Sequence, residues 1–126
     1  DLGADHADIA ITYYNLGKTL AEQAKYSLAE DYFQKTLQIE LRELGDDDPD
    51  IALTLLWLGE SQFHQAKFHD AEQNLLKALS LQLSLYSEHD VKLKRVLELL
   101  RDVSVALGKE TEAHNFSGKI DSLDIS

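Results

Sequence analysis

The chain repeats itself every 42 residues, and that interval constrains its fold more than any other feature. Residues 2–43 match residues 44–85 at 17 of 42 aligned positions. Leu2-Gly3 returns as Leu44-Gly45, Asp8-Ile9-Ala10 as Asp50-Ile51-Ala52, and Leu16-Gly17 as Leu58-Gly59. Gln23-Ala24-Lys25 returns as Gln65-Ala66-Lys67, and Ala29-Glu30 as Ala71-Glu72. A period of this length marks stacked supersecondary units, each of which buries its apolar face only against its neighbours. The pattern predicts one domain over 1–126, built of a unit 2–43, a unit 44–85 and a degenerate capping unit 86–126.

Within each unit the apolar spacing is helical. Ile51, Leu55, Leu58 and Gln62 fall at i, i+4, i+7 and i+11, on one face of a helix near 48–65. Asp48-Pro49-Asp50 marks its start: an aspartate accepts orphan amides, proline suits the first helical position, and a further acid complements the dipole. A second helix over 68–84 is expected to turn Ala71, Leu75, Leu79 and Leu83 inward. The first unit predicts helices near 7–23 and 26–42. The third, sharing Asp90, Leu97, Leu100, Lys109 and Ala113 with the second, predicts helices near 90–107 and 110–124. The last of these carries Gly118 and little apolar content beyond Phe116, Ile120, Leu123 and Ile125, as suits a terminal unit with one face toward water. The expected fold class is all-α: an α-solenoid of antiparallel helix pairs, about six helices in all.

Composition removes several functions. The net charge is −11, and an acidic surface repels phosphate backbones and anionic lipid, so nucleic acid and membrane partners are not expected. Cysteine is absent, which removes disulfides and thiol chemistry. No apolar run approaches a membrane span, no signal-peptide pattern opens the chain, and a cytoplasmic setting is expected. The lack of methionine and the start at Asp1, inside the repeat pattern, suggest a fragment or processed product. The acidic run Asp46-Asp47-Asp48-Pro49-Asp50 lacks the alternating ligands and central glycine of a calcium loop and reads as a solvated cap. His6, His64, His69, His89 and His114 show no i, i+4 pair, so no metal is expected. Neither a phosphate loop nor a nucleophile elbow is present, so the expectation is no enzyme, no catalytic residue and no cofactor.

The residues that recur at this interval resemble the tetratricopeptide repeat, in which a large residue, then Leu-Gly, then a small alanine on the second helix let paired helices approach closely. The first unit offers Tyr13, Leu16-Gly17, Leu20, Ala24, Tyr26, Ala29 and Phe33; the second offers Leu55, Leu58-Gly59, Ala66, Phe68, Ala71, Leu75 and Ala78. The 42-residue spacing and the Asp-Pro-Asp-Ile-Ala start are similar to the longer variety found in kinesin light chains. Departures are Gln62 and Glu110 where an aromatic is favoured, and Arg101 where glycine is expected.

That resemblance implies a right-handed stack whose first helices line a concave groove for a peptide or helix of a partner protein. Carried over by position, the groove takes Ile11, Tyr14, Asn15, Lys18 and Glu22 from the first unit. It takes Leu53, Leu56, Trp57, Glu60, Phe63 and His64 from the second, and Arg95, Glu98 and Asp102 from the third. The residues support this separately, since helices near 7–23 and 48–65 are apolar almost all round in their first turns, and such a helix is buried on every side or presents one face to a ligand. Trp57, the one tryptophan, is either the anchor of a partner or a residue packed between units. The mixed groove charges favour a protein or peptide with apolar anchors and some basic residues. The function expected is an adaptor or scaffold module; the alternative is self-association into a homo-oligomer, or a sensor segment of a larger signalling protein.

Overall fold

The computed structural model describes residues 2–125, with side chains over 6–123. Six α-helices follow one another: α1 (Leu2–Glu22), α2 (Tyr26–Glu43), α3 (Pro49–His64), α4 (Phe68–Leu85), α5 (Lys94–Ala106) and α6 (Glu110–Ile125). A short 3₁₀ turn, Val91–Leu93, leads into α5, and α1 begins earlier than the expected residue 7. Among the described residues there is no strand. The helices pack as pairs α1–α2, α3–α4 and α5–α6, and the pairs stack through α2 on α3 and α4 on α5. The fold is an all-α solenoid.

Turn chemistry at the repeat interval sets the pairing. Ala24, Ala66 and Gly108, spaced by 42, take left-handed φ values of 60°, 62° and 74°. Each lets the next amide reach back across the last helical turn: Lys25 N to Leu20 O at 2.8 Å, Lys67 N to Gln62 O at 2.9 Å, and Lys109 N to Ser104 O at 2.8 Å. This is the Schellman arrangement, which satisfies carbonyls a helix end would otherwise leave orphaned. Helix starts repeat as well. The Asp48 carboxylate accepts from Asp50 N, and Asp90 from Lys92 N, both at 2.9 Å.

Close approach within each of the first two pairs requires the small residues. A Cβ on Gly17 would lie 2.7 Å from the Phe33 ring, and one on Gly59 would lie 2.6 Å from the Leu75 side chain. Ala29 and Ala71 are fully buried opposite them. In the third pair Arg101 occupies the glycine position and directs its guanidinium to Asp102 at 3.1 Å, while Ala113, Ile120 and Leu123 bury the inner face of α6. The side chain of Ile125 lies outside the described residues.

One inward register is corrected. α4 buries Ala71, Leu75, Ala78 and Gln82; Leu79 is half-buried and Leu83 is exposed. Steps of four residues overshoot a full turn by about 40° each, so a run i, i+4, i+8, i+12 rotates out of the core, whereas i, i+4, i+7, i+11 stays on one face.

Gly59→Leu and Ala71→Leu are each expected to lower unfolding free energy by about 1–3 kcal/mol or more through overpacking. Chemical denaturation followed by circular dichroism checks this, and unchanged midpoints for both variants would contradict the close packing described.

Candidate functional site

The joint between the first and second helix pairs positions most of the expected site. At one end of it Glu30 on α2 is buried and accepts four hydrogen bonds: Gln62 Nε2 at 3.0 Å, Gln65 Nε2 at 2.9 Å, Lys67 Nζ at 2.9 Å and Gln34 Nε2 at 3.3 Å. Burial pushes the Glu30 carboxyl pKa up, but the bonds from Lys67, Gln62 and Gln65 outweigh it and hold the group below its ordinary value. Gln62 also accepts from Asn74 Nδ2 at 2.8 Å, so a residue that departs from the aromatic expected there ties α2, α3 and α4 together. The next joint repeats the ion pair 42 residues on, with Lys109 Nζ 2.8 Å from the Glu72 carboxylate.

Between the two ends of α2 lies an aromatic cluster. The Phe33 ring, buried, carries Trp57 stacked at 5.9 Å between centroids and Tyr14 edge-on at 6.0 Å. Lys18 Nζ sits 5.6 Å from the Tyr14 ring and 5.8 Å from the Trp57 ring, a cation–π placement over both faces. Trp57 thus packs between units through Phe33 and keeps part of its surface open. Asn15 and Glu22 lie exposed on the same helix as Tyr14 and Lys18.

Other expected residues divide. Ile11 and Leu53 are exposed, at 60% and 43%, beside Tyr14. Leu56 is a correction: it is buried in the core cluster with Ile51, Leu55 and Leu93, because its side of α3 faces the third pair. Phe63 packs on Phe68 at 5.7 Å, and His64 stacks on Tyr26 at 4.4 Å, so both lie at the far end of α3 from Leu53. Arg95 pairs with Glu60, which also has His64 Nε2 at 3.8 Å. Asp102 pairs with Arg101, and Glu98 is half-buried on α5. Tyr14, Lys18, Trp57, Ile11 and Leu53 thus form one neighbourhood, Glu60 and Arg95 bridge α3 and α5 at the next joint, and Asp102 pairs within α5.

Sequence reasoning missed Glu40. This α2 residue is 7% exposed and accepts from Thr54 Oγ1 at 2.6 Å. It forms part of the wall of a cavity of about 320 Å³ lined also by Ala10, Ile11, Tyr14, Ile39 and Leu53. Burial pushes its carboxyl up to about 7; the Thr54 bond opposes this, and Asp50 and Asp48 add to it. Tyr14 is raised too, by burial first, against a hydrogen bond from Trp57, with Glu40 and Asp50 contributing. The only signal in the sequence was a glutamate one helical turn before the end of α2, which reads as solvated. Among the described residues, no group of three or more metal-ligating side chains converges.

A family model described as tetratricopeptide repeat matches residues 1–42. No curated protein matches the sequence. Among solved structures the fold is similar to BtubC (BKLC) from P. vanneervenii, with a TM-score of 0.83 and 19% identity over 92% of this chain and 46% of that one. The chain spans less than half the length of that protein, and at this identity the likeness is one of fold. The family match thus covers the first unit, and the shared architecture is a likeness of fold over nearly the whole chain. Repeats of this kind generally mediate protein–protein interaction or scaffolding and are typically non-enzymatic. No helix among the described residues is long and apolar enough to cross a membrane.

The raised Glu40 pKa carries a sign. Its folded value, about 7, exceeds the ordinary 4.5, so the folded chain holds this proton more tightly than the unfolded chain. Its contribution to stability is present below pH 4.5 and is lost as pH rises through 7. Glu40→Gln keeps an acceptor for Thr54 and removes the titration. Thermal unfolding of both proteins should show the variant gaining on the wild type across that window and a constant gap above it; parallel curves would contradict the buried carboxylate.

Proposed function

We propose that this chain is a protein-interaction module that binds a peptide or helix of a partner across the face formed by α1, α3 and α5, as an adaptor or scaffold. The observation that carries this reading is the exposed side of the first joint, where Ile11 and Leu53 stand open beside the half-buried Tyr14, Lys18 and Trp57. Rigid aromatic side chains already packed in place lose little entropy on binding and dominate interface energetics. Their rings rest on Phe33, so the surface is preorganised, which lowers the cost of association. Arg95, Glu60 and Asp102 further along the same helices supply charges that fix orientation more than affinity. Units 2–43, 44–85 and 86–126 act as one domain in this reading, the third closing the stack.

A second reading rests on a different observation. Ile9 and Leu16 are 39% and 42% exposed, while Ile51 and Leu58, their counterparts 42 residues on, are 2% and 3% exposed. The outer face of the first pair is thus the kind of surface that the second pair buries. Another helix pair covering it, in a longer chain or a second copy, accounts for this as stacking or self-association. Light scattering coupled to size exclusion over a wide concentration range separates the readings: mass that grows with concentration favours the second.

For the primary reading, peptides selected from a displayed random library should lose about tenfold or more in affinity, roughly 1.4 kcal/mol, on Trp57→Ala or Tyr14→Ala. Because both rings touch Phe33, these variants should also unfold somewhat earlier. Ile11→Ala and Leu53→Ala alter exposed side chains, should leave stability within about 0.5 kcal/mol, and should still weaken binding. Unchanged affinity in all four variants would remove this surface from the function.

A further inference from the structure

The cavity beside the first joint combines apolar walls with acids, and no cationic side chain is among its described lining residues. Ala10, Ile11, Ile39, Leu44 and Leu53 supply the walls, and Glu40, Glu43 and Asp50 supply the acids. Its volume of about 320 Å³ is roughly twice that of an engineered apolar cavity of about 150 Å³ that accepts benzene, so a whole side chain fits. Glu43 already has His6 Nδ1 at 3.3 Å and Arg42 Nε at 3.8 Å. Glu40 has none: among the described residues its hydrogen-bond partner is the neutral Thr54 hydroxyl.

The equivalent joint lacks this character. Forty-two residues on, Glu40 becomes Gln82, Asp50 becomes Lys92, Leu53 becomes Arg95 and Thr54 becomes Val96. Gln82 is buried at the Glu40 position, with its Oε1 lacking a partner among the described residues. The carboxylate in the first joint is thus no general feature of stacking, since the second joint packs without one. A buried acid with no counter-cation costs stability when it ionises, so it keeps its proton to higher pH or takes a cation from a ligand.

The geometry points to this cavity as a side-chain pocket for a lysine or arginine of the partner, the stem lying along Ile11 and Leu53 and the cation meeting Glu40 and Asp50. The inference rests on the peptide-binding reading above and names the partner's chemistry. A guanidinium or ammonium on an apolar stem matches both halves of the pocket, since such side chains bury their methylenes while the charge finds an acceptor. A neutral apolar side chain would leave an ionised Glu40 without a counter-cation, and an acidic one would face the carboxyl groups of Glu40, Glu43 and Asp50. Groups facing Glu40 are Tyr14 from α1, Thr54 and Asp50 from α3, Asp48 from the preceding loop and Glu43 from its own helix.

The test uses ¹⁵N-labelled chain titrated with n-butylguanidinium, with n-pentanol and with butyrate as the neutral and anionic comparisons. Amides around Ile11 and Leu53 should shift with butylguanidinium, with at least tenfold tighter binding than pentanol, and butyrate should have no effect there. Glu40→Gln should reduce the preference to the pentanol level. Asp50→Asn, which leaves the Asp48 cap bond to the backbone in place, should reduce it in part. Affinity for the cation should rise with pH through 7, as Glu40 ionises. Equal binding of cation and alcohol, no shift at these amides, or a preference that survives Glu40→Gln would overturn the pocket. A dimer that butylguanidinium does not dissociate, with this cavity at its interface, would overturn it too. Selected peptides that need Trp57 but lose nothing when their basic residues become glutamine would end this inference and leave the peptide-binding reading standing.

Discussion

Two buried glutamates on α2 bond across to the second helix pair, and the character of the joint depends on how differently they are satisfied. Glu30 near the start of the helix is surrounded by donors from α3 and the turn beyond it, including a lysine. Glu40 near the end meets one hydroxyl. Fixing both ends of a helix sets its angle to the next, and the angle sets which side chains of α1 and α3 come together. Tyr14 and Trp57 meet on Phe33 because α2 carries that ring into the joint from behind.

The same arrangement explains why the first joint differs from the second. At the Glu30 end the Lys–Glu pair recurs as Lys109 with Glu72, so that part of the contact is a translated copy. At the Glu40 end the copy fails: an acid and an apolar residue give way to Gln82 and Arg95, and Arg95 is drawn to Glu60. The repeat thus preserves the ion pair that recurs at each joint and varies the groups that line the proposed pocket. The exposed ion pairs contribute modestly to stability, and the close packing at Gly17 and Gly59 contributes more, because there any added atom meets a neighbour at once.

Much of the architecture was legible in the sequence. The 42-residue period, the Asp48-Pro49-Asp50 start and the Gly59–Ala71 spacing all express local chemistry or short-range helix geometry, which a linear pattern records directly. The failures share a cause. Leu83 looked inward by step-counting, and Leu56 looked groove-facing by position carried over from the resemblance, but a helix rotates by about 100° per residue, and small errors in register accumulate. Glu30, Gln62 and Glu40 gain their roles from residues 12 to 37 positions away, through crossing angles that no local pattern encodes. The pairing of Arg95 with Glu60 was hidden for the same reason, since the two lie on different helices.

The central claim is that the first joint's outward side is the recognition surface. Amide chemical-shift mapping of the labelled chain with a library-selected peptide tests it most directly. Shifts centred on Tyr14, Lys18, Leu53 and Trp57, fading along α5, are the predicted result. Shifts centred instead on Ile9 and Leu16, or on the outer sides of α2 and α4, would contradict it and move recognition to the end or the back of the stack.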